Sequence, residues 1–156
     1  MTDDERYMHL ALEACRAGVE QGQSPFGACI VREGQVLAVA HNHVWLKTDA
    51  TAHAEVVAIR AACQAVGEVH LAGGTLYSTT EPCPMCFTAI HWARIERIVF
   101  AASIADAQAF GFNELPISNA RLKELGGAPV ILTPDVLRDE AVALYRLWQA
   151  RGGRSY

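Results

Sequence analysis

The chain has 156 residues, 51% of them hydrophobic and 19% charged, which fits one soluble globular domain and excludes a disordered segment. No apolar run approaches the roughly 20 residues that span a bilayer. The acidic, amphipathic start MTDDERYMHLALEA lacks the basic-then-apolar layout of an export signal, so a cytoplasmic protein without a membrane partner is expected. A formal charge of −4, with thirteen scattered Lys and Arg, argues against a nucleic-acid partner and for a small molecule. Five cysteines, an odd number, point to metal binding or buried thiols rather than a disulfide framework.

Residues 3–21 place Tyr7, Leu10, Ala11, Ala14 and Val19 near the helical period, and Gly22 with Ser24-Pro25 stops that helix. Phe26–Val31 and Gln35–Ala40 are apolar, partly β-branched runs around Arg32-Glu33-Gly34, a hairpin signal. A polar loop is expected over 41–50, and an alanine-rich helix over His53–Ala65. Thr75–Thr79 reads as a strand, and Pro84 opens a helix to about Arg94. Ile98–Ala102 and Pro129–Leu132 read as strands, and 135–150 as a closing helix with Asp135 as N-cap. Residues 103–128 give no clear element. The order α-β-β-α-β-α-β-β-α implies helices packed on a mixed sheet.

Two short stretches carry the chemistry. His53-Ala54-Glu55 opens one helix, and Pro82-Cys83-Pro84-Met85-Cys86 opens another. Cysteines three apart in a first helical turn aim both sulfurs at one point, where the helix dipole favours thiolate. His53, Cys83 and Cys86 make a Cys2His set for one zinc per chain, leaving a fourth position for water, the mark of a catalytic site. Glu55 lies two residues from His53, about 200° around a helix, so it suits a proton carrier beside the metal rather than a ligand. H-x-E…P-C-x-x-C is the signature of zinc nucleobase deaminases. A CxxC alone also fits a redox pair or half of a structural zinc site. Against these stand Pro82 before the first cysteine and HAE upstream, while Cys29 and Cys63 read as core thiols. Phe26 and Trp92 are aromatic candidates for holding a planar ring, and backbone N–H groups near Ala54 and Cys83 for binding a substrate oxygen.

TAHAEVVAIRAA and LYSTTEPCPMCFTAIHWARI resemble the cytidine-deaminase-like superfamily, in the branch with bacterial guanine deaminases and tRNA adenosine deaminases. The resemblance runs over nearly the whole chain. It implies one domain over 1–156, a three-layer α-β-α sandwich around a five-stranded mixed sheet, a catalytic zinc and a homodimer. Phe26 in SPFGACIV, Trp92 in HWARI, the segment ADAQAFGFNE and the terminal Tyr156 resemble guanine deaminases more than the tRNA enzymes. By that resemblance Asn42 bonds the base, Glu114 engages its polar edge, and residues 151–156 form a tail, swapped between subunits, whose Tyr156 caps the pocket. Asn113-Glu114 stands where that family has paired aspartates, which bears on the choice of base.

The expected activity is hydrolytic deamination of a free nucleobase or related heterocycle, guanine to xanthine first. Cytosine, isocytosine or an s-triazine of the ammeline type is the alternative substrate. tRNA adenosine deamination would want a basic groove, and a non-catalytic zinc module would want a fourth protein ligand and a dispensable Glu55.

Overall fold

Alternation along the central strands decides the architecture. In β1 (Gly27–Arg32), Ala28 and Ile30 enter one apolar cluster, and Cys29 and Val31 another. In β4 (Arg97–Ala102), Ile98 and Phe100 part from Val99 and Ala101 in the same way. Strands apolar on both sides need cover on both. The computed structural model, which describes all 156 residues, supplies it. Helices α1 (Asp3–Glu20) and α7 (Arg138–Ala150) cover one face, and α3 (Ala54–Val66) and α4 (Pro84–Trp92) the other.

The remaining elements are β2 (Gln35–His41), the single-turn α2 (Val44–Lys47), β3 (Gly74–Thr80), α5 (Ile104–Ala109), α6 (Asn119–Gly126) and β5 (Ile131–Thr133). The sheet runs β2-β1-β3-β4-β5. β1 is antiparallel to β2 and β3, while β3, β4 and β5 are parallel. This is the three-layer sandwich around a mixed five-stranded sheet that the resemblance implies. No helix is long and apolar enough to cross a membrane. The hairpin turns on Glu33 and Gly34, both at positive φ (52° and 74°), the pair of conformations a two-residue connection with the right twist requires.

Three local expectations need correction. Asp135 is not the N-cap of α7: it lies in a left-handed turn (φ 63°), and Leu137 precedes the helix. The cause is tertiary, since the Val136 N–H bonds the Phe100 carbonyl and holds the segment against β4. Cys29 is a core thiol, pushed up to about 12 by burial, but Cys63 is only part-buried at the rim of a groove between α3 and α4. The 41–50 loop contains α2, and 103–128 contains α5 and α6.

At the end of the sheet where α1 begins, Asp4 ties three elements together. Both Arg97 Nη atoms donate to its oxygens at 2.8 Å, and the Tyr77 hydroxyl donates to Oδ1 at 3.0 Å. Arg97 holds the Asp4 carboxyl below its ordinary range, against the opposing effect of burial. Because the folded value lies below the unfolded one, this stabilisation is present at neutral pH and is lost as pH falls through the folded value. Asp4→Asn should therefore cost about 1–2 kcal/mol at pH 7. Its melting deficit against wild type should close below about pH 4. Thermal melts of both proteins across pH check this; a deficit that persists in acid would place the effect elsewhere.

Candidate active site

Helices α3 and α4 begin in the same way. His53 (φ −64°, ψ 154°) and Cys83 (φ −63°, ψ 167°) are their N-caps, both extended, and neither side chain caps its own helix. Pro84, whose fixed φ suits a first helical position, follows Cys83 and brings Cys86 to the third. The His53 Nδ1 then lies 3.5 Å from each sulfur, and the three ligand atoms fall within 4.8 Å of one another. A tetrahedral zinc with bonds of about 2.0–2.1 Å to nitrogen and 2.3 Å to sulfur separates those atoms by about 3.5 Å. One imidazole and two thiols at that spacing fit zinc, and no fourth protein ligand joins the cluster.

Because His53 stands outside the helix, the angle around a helix does not govern its relation to Glu55. Glu55 is the second residue of α3, only 6% exposed, and its Oε2 approaches the Cys86 sulfur at 3.5 Å. Burial raises its carboxyl, partly offset by the charge of His53. Ser78 on β3 places its hydroxyl 3.0 Å from Oε1 and 2.6 Å from the Thr80 carbonyl, which fixes the carboxyl's position. The Cys86 side chain brings the Cys83 thiol down to about 4 against burial, and the same contact holds Cys86 well above the ordinary range. Burial would lower His53, but the Cys83 hydrogen bond and the Glu55 charge outweigh it.

Over these groups lies a small inner chamber of about 20 Å³, lined by Phe26, His53, Glu55, Cys83, Glu114 and Tyr156 among others. An outer vestibule of about 210 Å³ adds Met85, Asn113 and Leu115. Tyr156 belongs to both. Its phenol oxygen accepts from the fully buried Asn42 Nδ2 at 2.8 Å, and its ring lies 5.7 Å from that of His53. The tail that carries it is held at two further points. The Trp45 indole donates to the Arg154 carbonyl at 3.3 Å while the Arg154 guanidinium covers the same ring. Gly153 packs so closely on Trp148 that a Cβ would collide with the indole. Burial, followed by the charge of Cys83, pushes the Glu114 carboxyl up to about 7.

Residues 1–102 match the sequence pattern of the cytidine and deoxycytidylate deaminase zinc-binding region. The chain belongs to that deaminase family. It is 44% identical to the guanine deaminase of Bacillus subtilis over 110 residues, 70% of this chain and 69% of the relative. It is also 44% identical to the tRNA-specific adenosine deaminase of the same organism, over 65% of this chain and 63% of the relative. The solved guanine deaminase of Nitrosomonas europaea superposes with a TM-score of 0.86 at 30% identity, covering 96% of this chain and 86% of that one. The alignments thus span about two thirds of each sequence relative and 86% of the solved chain.

Within this deaminase, the structure brings most of the residues singled out in the sequence to one place. Phe26, Glu114 and Tyr156 line the chamber, Asn42 holds Tyr156, and Ala54 is buried at the first position of α3. Its N–H is among those that a helix start leaves without an intrahelical partner. Trp92 is the exception. It is 76% exposed at the far end of α4, beside Ile59 and Ala89 on another surface. Nine residues at 1.5 Å rise carry it about 13 Å from Cys83, too far to reach the chamber of its own chain. Ser78 was missed. Its signal is a hydroxyl two residues beyond Leu76, in line with that apolar side chain on one face of β3, where a buried hydroxyl needs a partner.

Proposed function

We propose that this deaminase hydrolyses the amino group from a free amino-purine, with guanine converted to xanthine and ammonia. The observation that carries the reading is the ordered tail: Tyr156, held by Asn42 beside His53, walls both the inner chamber and the 210 Å³ vestibule outside it, space on the scale of a single base rather than of a polynucleotide loop. The formal charge of −4 adds no electrostatic pull for a phosphate backbone. Zinc held by His53, Cys83 and Cys86 would supply the Lewis acidity that makes water a nucleophile near neutral pH. Glu55 takes a proton from the attacking water and passes it to the ring nitrogen beside the amino-bearing carbon. A second proton from the same source goes to the amine as the carbon–nitrogen bond breaks, so one water is consumed and one ammonia leaves. Ser78 keeps the Glu55 carboxyl in reach, and the buried setting keeps bulk water out. Asn42 spends Oδ1 on the Val44 N–H and one amide hydrogen on Tyr156, leaving the other for a substrate carbonyl. Glu114 faces the ring's polar edge.

Equal identity to the tRNA enzyme supports a second reading, and Glu114 in place of an aspartate supports a triazine as a third. Ammonia release from guanine, cytosine, isocytosine, adenine, ammeline, their nucleosides and tRNA separates them. Guanine should be fastest; release from tRNA adenosine with none from guanine would overturn the proposal.

Removing residues 151–156 should leave zinc content and folding intact and lower kcat/KM at least about tenfold, since one capping hydrogen bond and the ring's cover are lost. Unchanged kcat/KM would make the tail an ordinary dispensable terminus. In the structure the tail closes its own chain's chamber, and a swapped tail would make the same contacts from a partner. Mixing Glu55→Gln chains with truncated chains decides between them: recovered activity in the mixed dimer requires a tail in trans, and none leaves it in cis. The homodimer itself has a candidate contact in the exposed Trp92, beside Ile59, Val69 and Ala89. A cytoplasmic location remains part of this proposal.

A further inference from the structure

Apart from the Glu114 carboxyl, the hydrogen-bonding side chains around the inner chamber are largely engaged by the chain itself. Glu81 spends one oxygen on the Ile104 N–H and the other on the Asn119 N–H. Glu55 is met by Ser78, and the Tyr156 oxygen by Asn42. Thr80 also lines the chamber, and its Oγ1 lies 2.6 Å from the Tyr145 hydroxyl.

Two hydroxyls carry two hydrogens, and the bond between them uses one. The spare hydrogen therefore belongs to one residue or the other, and their surroundings decide which. Tyr145 is fully buried, stacked on Phe110 at 4.9 Å and set edge-on to Phe26 at 5.9 Å and Phe112 at 6.2 Å. Its oxygen makes no other hydrogen bond, so a hydrogen left there would be stranded among rings. A phenol is also a stronger donor than an alkyl hydroxyl, which is the stronger acceptor. Tyr145 donates, and the hydrogen on Thr80 is the one left without an acceptor in the chain. Burial keeps the Tyr145 proton in place well beyond neutral pH.

We propose that Thr80 is a specificity-determining residue of this site, a neutral donor for a ring nitrogen or carbonyl oxygen of the bound heterocycle, and that Tyr145 is a positioning residue acting through it. This rests on the reading of the chamber, with the vestibule that shares His53, Cys83, Glu114 and Tyr156, as the place where the heterocycle binds. Seen from the sequence, Thr80 is one more polar residue before EPC, and Tyr145 is a core aromatic of the closing helix. Only the fold brings them together, 65 residues apart.

The hydroxyl serves the ground state and the transition state alike, so its loss should appear in KM rather than kcat. In zinc-loaded protein, Thr80→Val, which exchanges hydroxyl for methyl at constant shape, should raise the KM for guanine about tenfold. It should weaken xanthine binding, measured by calorimetry, by the same factor. Thr80→Ser keeps the donor and should behave as wild type. Tyr145→Phe should raise KM less, and the double variant should be no worse than Thr80→Val alone. Constants within about twofold of wild type in Thr80→Val, or equal losses in the Ser and Val variants, would overturn the role of Thr80. Additive losses in the double variant would overturn the role of Tyr145. Wild-type protein that neither binds xanthine nor releases ammonia from any base would overturn the chamber reading as well, which distinguishes the two failures.

Discussion

Glu55→Gln should retain zinc and fold with close to the wild-type melting temperature, yet lose about 10²–10⁴-fold in kcat. The amide is nearly isosteric with the carboxyl and can still meet the Ser78 hydroxyl, so packing around the site is preserved. What it cannot do is accept a proton from water and hand it on. The position makes the demand sharp: Glu55 is buried, and burial already raises its carboxyl, so this group is suited to hold a proton as well as to take one. Of the chamber's other carboxyls, Glu81 is spent on the Ile104 and Asn119 N–H groups, and Glu114 has no contact with the Cys86 sulfur comparable to the 3.5 Å approach of Glu55. Turnover on the true substrate above about a tenth of wild type, in protein shown to hold zinc, would remove Glu55 from the proton-transfer role.

Cys83→Ala and Cys86→Ala should each abolish zinc retention and lower the melting temperature by on the order of 10 °C. Each variant leaves two ligand atoms where three are gathered within 4.8 Å, too few for the metal to outlast dialysis. The loss reaches stability because binding free energy is available only to the folded state, in which the starts of α3 and α4 are side by side. Cys86→Ala should be the more destabilising of the two, since Cys86 is fully buried and its removal also leaves a cavity. Elemental analysis beside thermal melts checks both claims. One zinc per chain in either variant would show that its cysteine is not a ligand.

The parts of this site that were legible in the sequence are those with short-range causes. Cys83 and Cys86 meet because one helical turn joins them, and Pro84 marks where that turn begins. The strand runs are legible because β1 and β4 are apolar on both faces, which only a covered central sheet tolerates. Residues 103–128 also carry local signals. Ser103 and Asp106 form a capping box, and Ser118 caps the start of α6 while Gly127 ends it. What sequence alone left undecided depends on distances across the sheet. Trp92 sits in the same motif as the cysteines, but helical rise carries it to another surface. Asp135 has the residue type of a cap, yet a backbone bond to Phe100 outweighs that preference. Ser78 reaches Glu55 across 23 residues, and Tyr145 reaches Thr80 across 65. A hydroxyl declares its partner only when burial has removed water as the alternative, and burial belongs to the folded chain as a whole.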